Sequence, residues 1–323
     1  MRAIEQRGYG DPVEVLHLAE VDVPEITADA VLVRVRASSA NPYDWHLICG
    51  EPVLMRPALG GIRGPKRVVG GDFAGVVEAV GSSVQDVAAG EEVYGFADGA
   101  LAEFVAAPAR SLARKPANLT FAEAAAVPMA GITALQCLRH GGLAAGQHVL
   151  VVGASGGVGT FAVQLAKHAG ARVTGVCSTG RLDLVRSLGA YLVIDYTMED
   201  WTSHSTTYDL VLQLGGVYTP RVLRRLLAPS GTLIQSYGDG ARWLGPLGSI
   251  ASGALLNKVG KQRITSYVAK VDAATLDELR DLIEAAQIKP VIDSEYPLER
   301  AADAIALVRD GRPAGKVVIT ASA

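Results

Sequence analysis

The chain has 323 residues, about half of them apolar and a fifth charged, with a formal net charge of −3. That length allows two domains of ordinary size, and the composition suits a globular protein with a large core. Acids and bases are mixed along the chain, so no basic block points to nucleic acid, and no run of about 18 apolar residues marks a transmembrane helix. The opening Met1-Arg-Ala-Ile-Glu5 carries no apolar signal segment. Cys49, Cys137 and Cys177 are odd in number and far apart, which argues against a disulfide framework and for a reducing cytoplasm.

The first third reads as β-rich. Ala30-Val-Leu-Val-Arg-Val-Arg36 alternates apolar and polar residues as a half-buried strand does. Val76–Val80, Glu92–Phe96 and Glu103–Val105 are further short strands between glycine-rich turns. Pro12, Pro24, Pro42, Pro52, Pro57, Pro65 and Pro108 argue against long helices here. Together they predict a compact antiparallel barrel.

The texture changes near Thr120. Residues Phe121–Leu138 read as two helices broken at Pro128–Gly131. His148-Val-Leu-Val-Val152 is a continuous apolar run, as expected of a strand buried on both faces of a parallel sheet. Val158, Phe161, Ala162, Leu165, Ala166 and Ala169 follow at helical spacing. Strands at Arg172–Cys177, Tyr191–Ile194, Leu210–Leu212 and Thr232–Ser236 alternate with helices, one of them Leu182–Leu188. That alternation predicts βαβ units and a doubly wound parallel sheet. Gln262–Val268 reads as its last strand. Pro290–Asp293, a helix over Leu298–Val308 and Gly315–Ile319 read as a return to the first domain. The domain reading is therefore 1–120 with 288–323, and 121–287.

The sharpest local signal joins strand, turn and helix: Ala154, Ser155, Gly156, Gly157, Val158 and Gly159 follow the buried run and open the helix. Gly156 lets a backbone approach a pyrophosphate, Gly159 lets helix and strand pack closely, and the helix N-terminus offers N–H groups to phosphate. Ala154 stands where the usual fingerprint has its first glycine. The alternative is a glycine-rich turn without a ligand. An NAD site places Asp or Glu about 20 residues on, at the end of the second strand. Here that place reads Val176-Cys-Ser-Thr-Gly-Arg181. Ser178 and Thr179 as hydroxyl donors and Arg181 as a cation suit a 2′-phosphate, hence NADPH. Arg181 at a helix start is disfavoured by the dipole unless an anion offsets it. Its other reading is a solvated surface arginine. Tyr196 either reaches the same phosphate or packs.

Four blocks carry a resemblance over nearly the whole chain: Ser39-Ala-Asn-Pro-Tyr-Asp-Trp45, Val69–Gly81 with its Gly-Gly-Asp-Phe-Ala-Gly75 core, Ala126-Val-Pro-Met-Ala-Gly-Ile-Thr-Ala-Leu135, and the glycine turn. They resemble the medium-chain dehydrogenase/reductase superfamily. Gly-Ala-Ser-Gly-Gly-Val-Gly159 with Val-Ile-Asp-Tyr196 is similar to the quinone oxidoreductase branch, in particular its reticulon-interacting mitochondrial and chloroplast-envelope groups. The resemblance implies a GroES-like β-barrel domain plus a Rossmann domain. It implies Thr133 near a nicotinamide, Asn41 and Asp44 lining the substrate cleft, and Leu214, Gly215, Ser236 and Tyr237 beside the cofactor. Alcohol dehydrogenases of the superfamily hold a catalytic zinc through Cys and His in the first two blocks. The matching places here are Asn41 and Gly71, so no metal site is expected.

Without a Lewis acid, conjugated acceptors are favoured: a quinone first, α,β-unsaturated carbonyls as the alternative. A catalytically idle NADPH-binding sensor or structural protein is the reading outside enzymes. Asp44 is either a proton donor or a structural hydrogen-bonding residue. The apolar, glycine-rich stretch Arg242–Leu256 is a lid, a subunit contact, a membrane-touching surface or a buried helix. The open edge of the last strand, at Ile264 and Ser266, predicts a twofold homodimer.

Overall fold

A computed structural model describes residues 1–236, 247–257 and 260–321. Its strands are β1 (Arg2–Arg7), β2 (Leu16–Glu20), β3 (Ala30–Ala40), β4 (Lys66–Val68), β5 (Asp72–Val80), β6 (Glu92–Phe96), β7 (Phe104–Pro108), β8 (Leu112–Arg114), β9 (His148–Val152), β10 (Arg172–Cys177), β11 (Leu192–Asp195), β12 (Tyr208–Gln213), β13 (Leu227–Gln235), β14 (Arg263–Ser266), β15 (Ile292–Pro297) and β16 (Lys316–Thr320). The chain divides into two compact units, Met1–Ile132 with Lys270–Ala323, and Thr133–Ala269.

The first unit holds a sheet ordered β15-β16-β3-β5-β6-β8, with β7 also paired to β3, and a three-stranded sheet β2-β1-β4. All pairings are antiparallel except β15 with β16. The alternation read at Ala30–Arg36 is realised in β3, where Val31, Val33 and Val35 are buried and Arg34 is exposed. They pack with Phe73, Val77, Val93 and Val105 in one core cluster. The strand runs on to Ala40 because Ser38 and Ser39 find buried partners in Asp72. β16 docks antiparallel on the end of β3, pairing Val317 with Ala40, which brings the C-terminal return beside the end of β3.

The first unit extends past the sequence reading at both boundaries, to Ile132 instead of 120 and from Lys270 instead of 288. The helix Phe121–Ala125 opens with a capping box in which Thr120 Oγ1 accepts from Glu123 N–H (3.2 Å). It packs against β3 and β5. The helix Ala273–Glu284 buries Leu276, Leu279 and Ile283 and takes a hydrogen bond from Tyr94 Oη to Leu276 O (2.6 Å). Both helices therefore sit with the first unit. The two helices read over Phe121–Leu138 are present, parted at Ala126–Val127, and Pro128 opens the second, Pro128–His140, as its fixed φ allows at a first turn. Gly131 lies inside that helix, where a Cβ would come within 3.0 Å of Leu279 Cδ1.

The second unit is a six-stranded parallel sheet ordered β11-β10-β9-β12-β13-β14. This is the 3-2-1-4-5-6 order of a dinucleotide-binding fold. Val149 to Val152 are all buried, as the apolar run requires. The helix Gly157–His168 buries Phe161, Ala162, Leu165 and Ala166 as its spacing predicts. β14 ends the sheet, in agreement with the sequence. Within the apolar stretch 242–256 the structure shows the helix Leu247–Leu256, whose Gly253 is buried and whose Leu255 is exposed; residues 242–246 and Tyr237 lie outside the described residues. No helix among the described residues is long and apolar enough to cross a membrane.

Candidate active site

In the second unit the glycine turn leaves β9 at Gly153, whose φ of 85° is the left-handed value that glycine accepts. Positive φ falls on Gly153, one place before Ala154, so Ala154 sits in ordinary backbone geometry and its substitution for the fingerprint glycine carries no strain. The N–H groups of Gly153 and Ala154 donate to Val176 O (3.2 and 3.0 Å), fastening the turn to the end of β10. Gly159 is held by close approach: a Cβ there would lie 2.1 Å from Gly153 O. Gly156 differs. Its φ is −79°, which any residue adopts, and a Cβ would meet only Gly153 O, at 3.5 Å. Nothing among the described residues demands glycine at 156. As helix N-cap it brings no side chain to the first-turn N–H groups of Gly157, Val158 and Gly159.

The strand ends around the turn carry the remaining expected residues. Ser155, Ser178, Arg181, Leu214, Gly215 and Ser236 are partly exposed, and Tyr196 is 51% exposed. Leu214 N–H donates to Val152 O (3.0 Å) and Ser236 N–H to Gln213 O (3.0 Å), so both follow the sheet's carboxyl edge. Gln213, not singled out in the sequence, holds this edge in shape: its Nε2 donates to Gly216 O and Tyr218 O (3.0 and 3.1 Å), and its Oε1 accepts from Gln235 Nε2 (2.9 Å). Thr179, expected to donate outward, instead has its hydroxyl 2.8 Å from Thr197 Oγ1. Thr133 is 7% exposed on the helix Pro128–His140.

In the first unit Asn41 joins the end of β3 to the helix Pro42–Cys49, and a buried polar cluster forms around it. Asp72 is its hub. Asp72 Oδ2 accepts from Ser39 Oγ (2.7 Å), Asn41 Nδ2 (2.9 Å) and Lys316 Nζ (3.2 Å), while Oδ1 accepts from Met129 N–H (2.9 Å) at the start of the helix Pro128–His140. Lys316 Nζ also donates to Asn41 Oδ1 and to Ala40 O (3.2 Å). Lys316 and Asp72, 3% and 0% exposed, were not expected from the sequence. The signal was present only in the Gly-Gly-Asp block and in a lysine opening an apolar strand. Asn41 is 2% exposed, and its amide oxygen and nitrogen both have partners inside the protein. Asp44 closes the helix start by accepting from Asn41 N–H (2.7 Å). Burial is the main force pushing its carboxyl up to about 7, with the charge of Asp72 adding to it and the Asn41 N–H and Lys316 opposing.

This cluster does not fit the zinc that the superfamily's alcohol dehydrogenases carry. A ligand side chain at position 71 has no room, because its Cβ would lie 2.1 Å from Phe96 Cε2. At position 41 an amide already faces the Lys316 ammonium, a cation where a cation would be ligated. His46, on the helix Pro42–Cys49, stacks on Trp45 with centroids 3.6 Å apart.

A sheet in 3-2-1-4-5-6 order, a glycine turn at its central strand and a GroES-like sheet domain define a dehydrogenase-type oxidoreductase. Family models for the alcohol dehydrogenase GroES-like domain and for zinc-binding dehydrogenases match residues 27–117 and 188–319. The chain is 34% identical to the 2-methylene-furan-3-one reductase of Solanum lycopersicum, over 99% of this chain and 79% of that one. It is 32% identical to the chloroplast envelope quinone oxidoreductase homolog of Arabidopsis thaliana, over 99% and 98%. The crystal structure of Escherichia coli quinone oxidoreductase complexed with NADPH superposes with a TM-score of 0.86 at 26% identity, over 99% of this chain and 100% of that one. The chain belongs to the medium-chain dehydrogenase/reductase family, in its quinone oxidoreductase branch, and is an oxidoreductase.

Proposed function

We propose that the protein is an NADPH-dependent, zinc-independent reductase of quinones. The observation that carries its dinucleotide part is Gly156, whose missing side chain no contact among the described residues requires and which a bound pyrophosphate does. The pyrophosphate is held by the first-turn N–H groups of Gly157, Val158 and Gly159, with Ser155, Leu214, Gly215 and Ser236 beside the dinucleotide. Ser178, Arg181 and Tyr196 take the 2′-phosphate, since β10 ends without a carboxylate. NADPH supplies the hydride when bound; the protein orients it and keeps water away. Thr133 faces the nicotinamide. Asn41 acts as a positioning residue, its amide used between Asp72 and Lys316, and Asp44 is the buried carboxyl nearest a proton-donating role.

Reduction of α,β-unsaturated carbonyls is a second reading, favoured by the full-length likeness to a furanone reductase. NADPH oxidation against a panel of quinones and enones decides between them. The quinone reading predicts kcat/KM at least about tenfold higher for quinones, unchanged by exhaustive chelation, and NADPH bound more tightly than NADH. Turnover of enones alone, or equal affinity for the two cofactors, defeats it.

The three thiols are free, and burial pushes those of Cys137 and Cys177 up to about 11, so they stay as unreactive thiols in the reducing cytoplasm we propose as its compartment. We also propose a twofold dimer through β14. Thr265 and Tyr267 face β13, with Tyr267 N–H on Gln235 O (3.0 Å), so Ile264 and Ser266 face outward. Asn257 already takes both outward groups of Ile264 through two 2.7 Å hydrogen bonds, which confines pairing to the Ser266 end.

A further inference from the structure

We propose that Asp195, acting through Thr197, sets the nucleotide preference by turning the Thr179 hydroxyl into an acceptor that favours a free ribose 2′-hydroxyl over a 2′-phosphate. This rests on the reading that a dinucleotide lies at the glycine turn. In that frame the adenosine ribose meets the end of the second strand, here β10. Cys177 ends β10 and pairs in register with Asp195, which ends β11, and Tyr196 N–H donates to Cys177 O (3.2 Å). Asp195 and Thr197 therefore flank the ribose position, and at Gly180 beside them a Cβ would meet nothing within 4 Å.

The direction of the hydrogens follows from counting. Thr197 has one hydroxyl hydrogen, and its Oγ1 lies 2.7 Å from Asp195 Oδ1, a carboxylate oxygen that only accepts. Thr197 N–H donates to the same oxygen (2.9 Å), which fixes the geometry. The Thr179–Thr197 contact of 2.8 Å must then take its hydrogen from Thr179. Thr179 is also first among the hydroxyls that hold the Asp195 carboxyl below its usual range, an arrangement that draws its hydrogen the same way. In both, Thr179 shows the ligand only lone pairs. A ribose 2′-hydroxyl can donate to them; a phosphate dianion carries acceptors alone and must break the Thr179 bond to gain a donor. Ser178, Arg181 and Tyr196 favour the phosphate from the same place, so the preference for NADPH is held down by this relay and NADH remains usable.

Calorimetric titration of NADPH and NADH tests it in the full chain and three variants. Thr179→Val removes the acceptor at an exposed position without touching the core. It should weaken NADH about fivefold, the worth of one neutral hydrogen bond, and leave NADPH within about twofold. Asp195→Ala removes the acceptor, so that Thr197 donates to Thr179 and frees the Thr179 hydrogen outward, raising the NADPH-to-NADH affinity ratio by about fivefold. Arg181→Ala tests the underlying cofactor reading alone and should weaken NADPH only. A Thr179→Val protein that loses NADPH affinity as much as NADH, or an unchanged ratio in both relay variants, overturns the proposal. If Arg181→Ala still weakens NADPH in that event, the NADPH reading stands without it.

Discussion

The cluster around Asp72 and the turn around Gly156 are built from similar polar material and end in opposite conditions. In the first, Asn41, Ser39, Lys316 and the Met129 N–H all converge on one carboxylate, and side chains at most 3% exposed satisfy each other. In the second, an uncapped helix start, a dispensable glycine and partly exposed hydroxyls leave capacity for something from outside. A closed polar network fixes a shape, because a buried group without its partner costs its full desolvation. An open one binds. Residue type does not separate the two: the sequence reading assigned Asn41 to the substrate cleft and Ser155 to the phosphate turn, both facing a ligand, and only the count of internal partners parts them.

The largest expected effect comes from opening the closed side. Lys316→Met leaves Asp72 charged and buried without its ion pair, and should destabilise the protein by about 3–5 kcal/mol in urea unfolding. Adding Asp72→Asn to that variant should restore part of the loss, since the uncompensated charge is then gone. A single variant as stable as the parent would mean that the cluster is not closed.

The two glycines of the turn sharpen the contrast within one element. Gly159→Ala drives a Cβ into Gly153 O and should lower stability by about 1–3 kcal/mol along with dinucleotide affinity. Gly156→Ala has ordinary φ and room, so stability should hold within about 0.5 kcal/mol while affinity falls at least roughly tenfold. Thermal unfolding and calorimetric binding on the two variants would expose a turn that serves packing alone: both would then lose stability and neither would lose binding selectively.

Asp44 gives the closed cluster a pH signature. Its carboxyl is raised from 3.8 to about 7 in the folded chain. The folded state therefore holds a proton that the unfolded state has released between those values, so stability falls as pH rises through that window and levels off above it. Asp44→Asn removes the titration. Between pH 5 and 7 the parent should lose roughly 1–2 kcal/mol more than the variant, read from urea midpoints. Equal slopes would place the Asp44 pKa near its ordinary value.

What the sequence made legible follows the same division. Local signals read well. The buried run at His148–Val152, the strand–turn–helix of the glycine motif and the alternation in β3 depend on neighbours a few residues away. The helix Ala273–Glu284 carried an equally local signal, apolar residues at 276, 279 and 283 behind the Asp272 cap, and was not drawn out. Lys316 was illegible for a physical reason. Its partners Asn41 and Asp72 lie 275 and 244 residues away, and only the antiparallel docking of β16 on β3 brings them together. The hydrogen direction at Thr179 was equally hidden, since it depends on which strand follows β10 in the sheet rather than on the residue itself.

The sheet edge is the smallest case of closed against open, and it can be broken one residue at a time. At Ile264 both outward backbone groups are taken by Asn257 of the same chain. Ser266 is the next outward residue of β14, and its N–H points away from β13. Proline is tolerated on a strand edge where the missing N–H faces outward, and β14 is extended before it. Ser266→Pro should therefore leave the parallel sheet and the unfolding midpoint nearly unchanged while removing the donor that a second β14 would use. If the dimer forms there, sedimentation equilibrium should show the dissociation constant rising by about tenfold, the loss of one or two intermolecular hydrogen bonds. Asn257→Ala works in the reverse sense: it uncovers Ile264, lengthens the open edge and should tighten the same equilibrium. A parent protein that sediments as a monomer at micromolar concentration, or a dimer indifferent to both substitutions, would show that the β14 edge is not the interface.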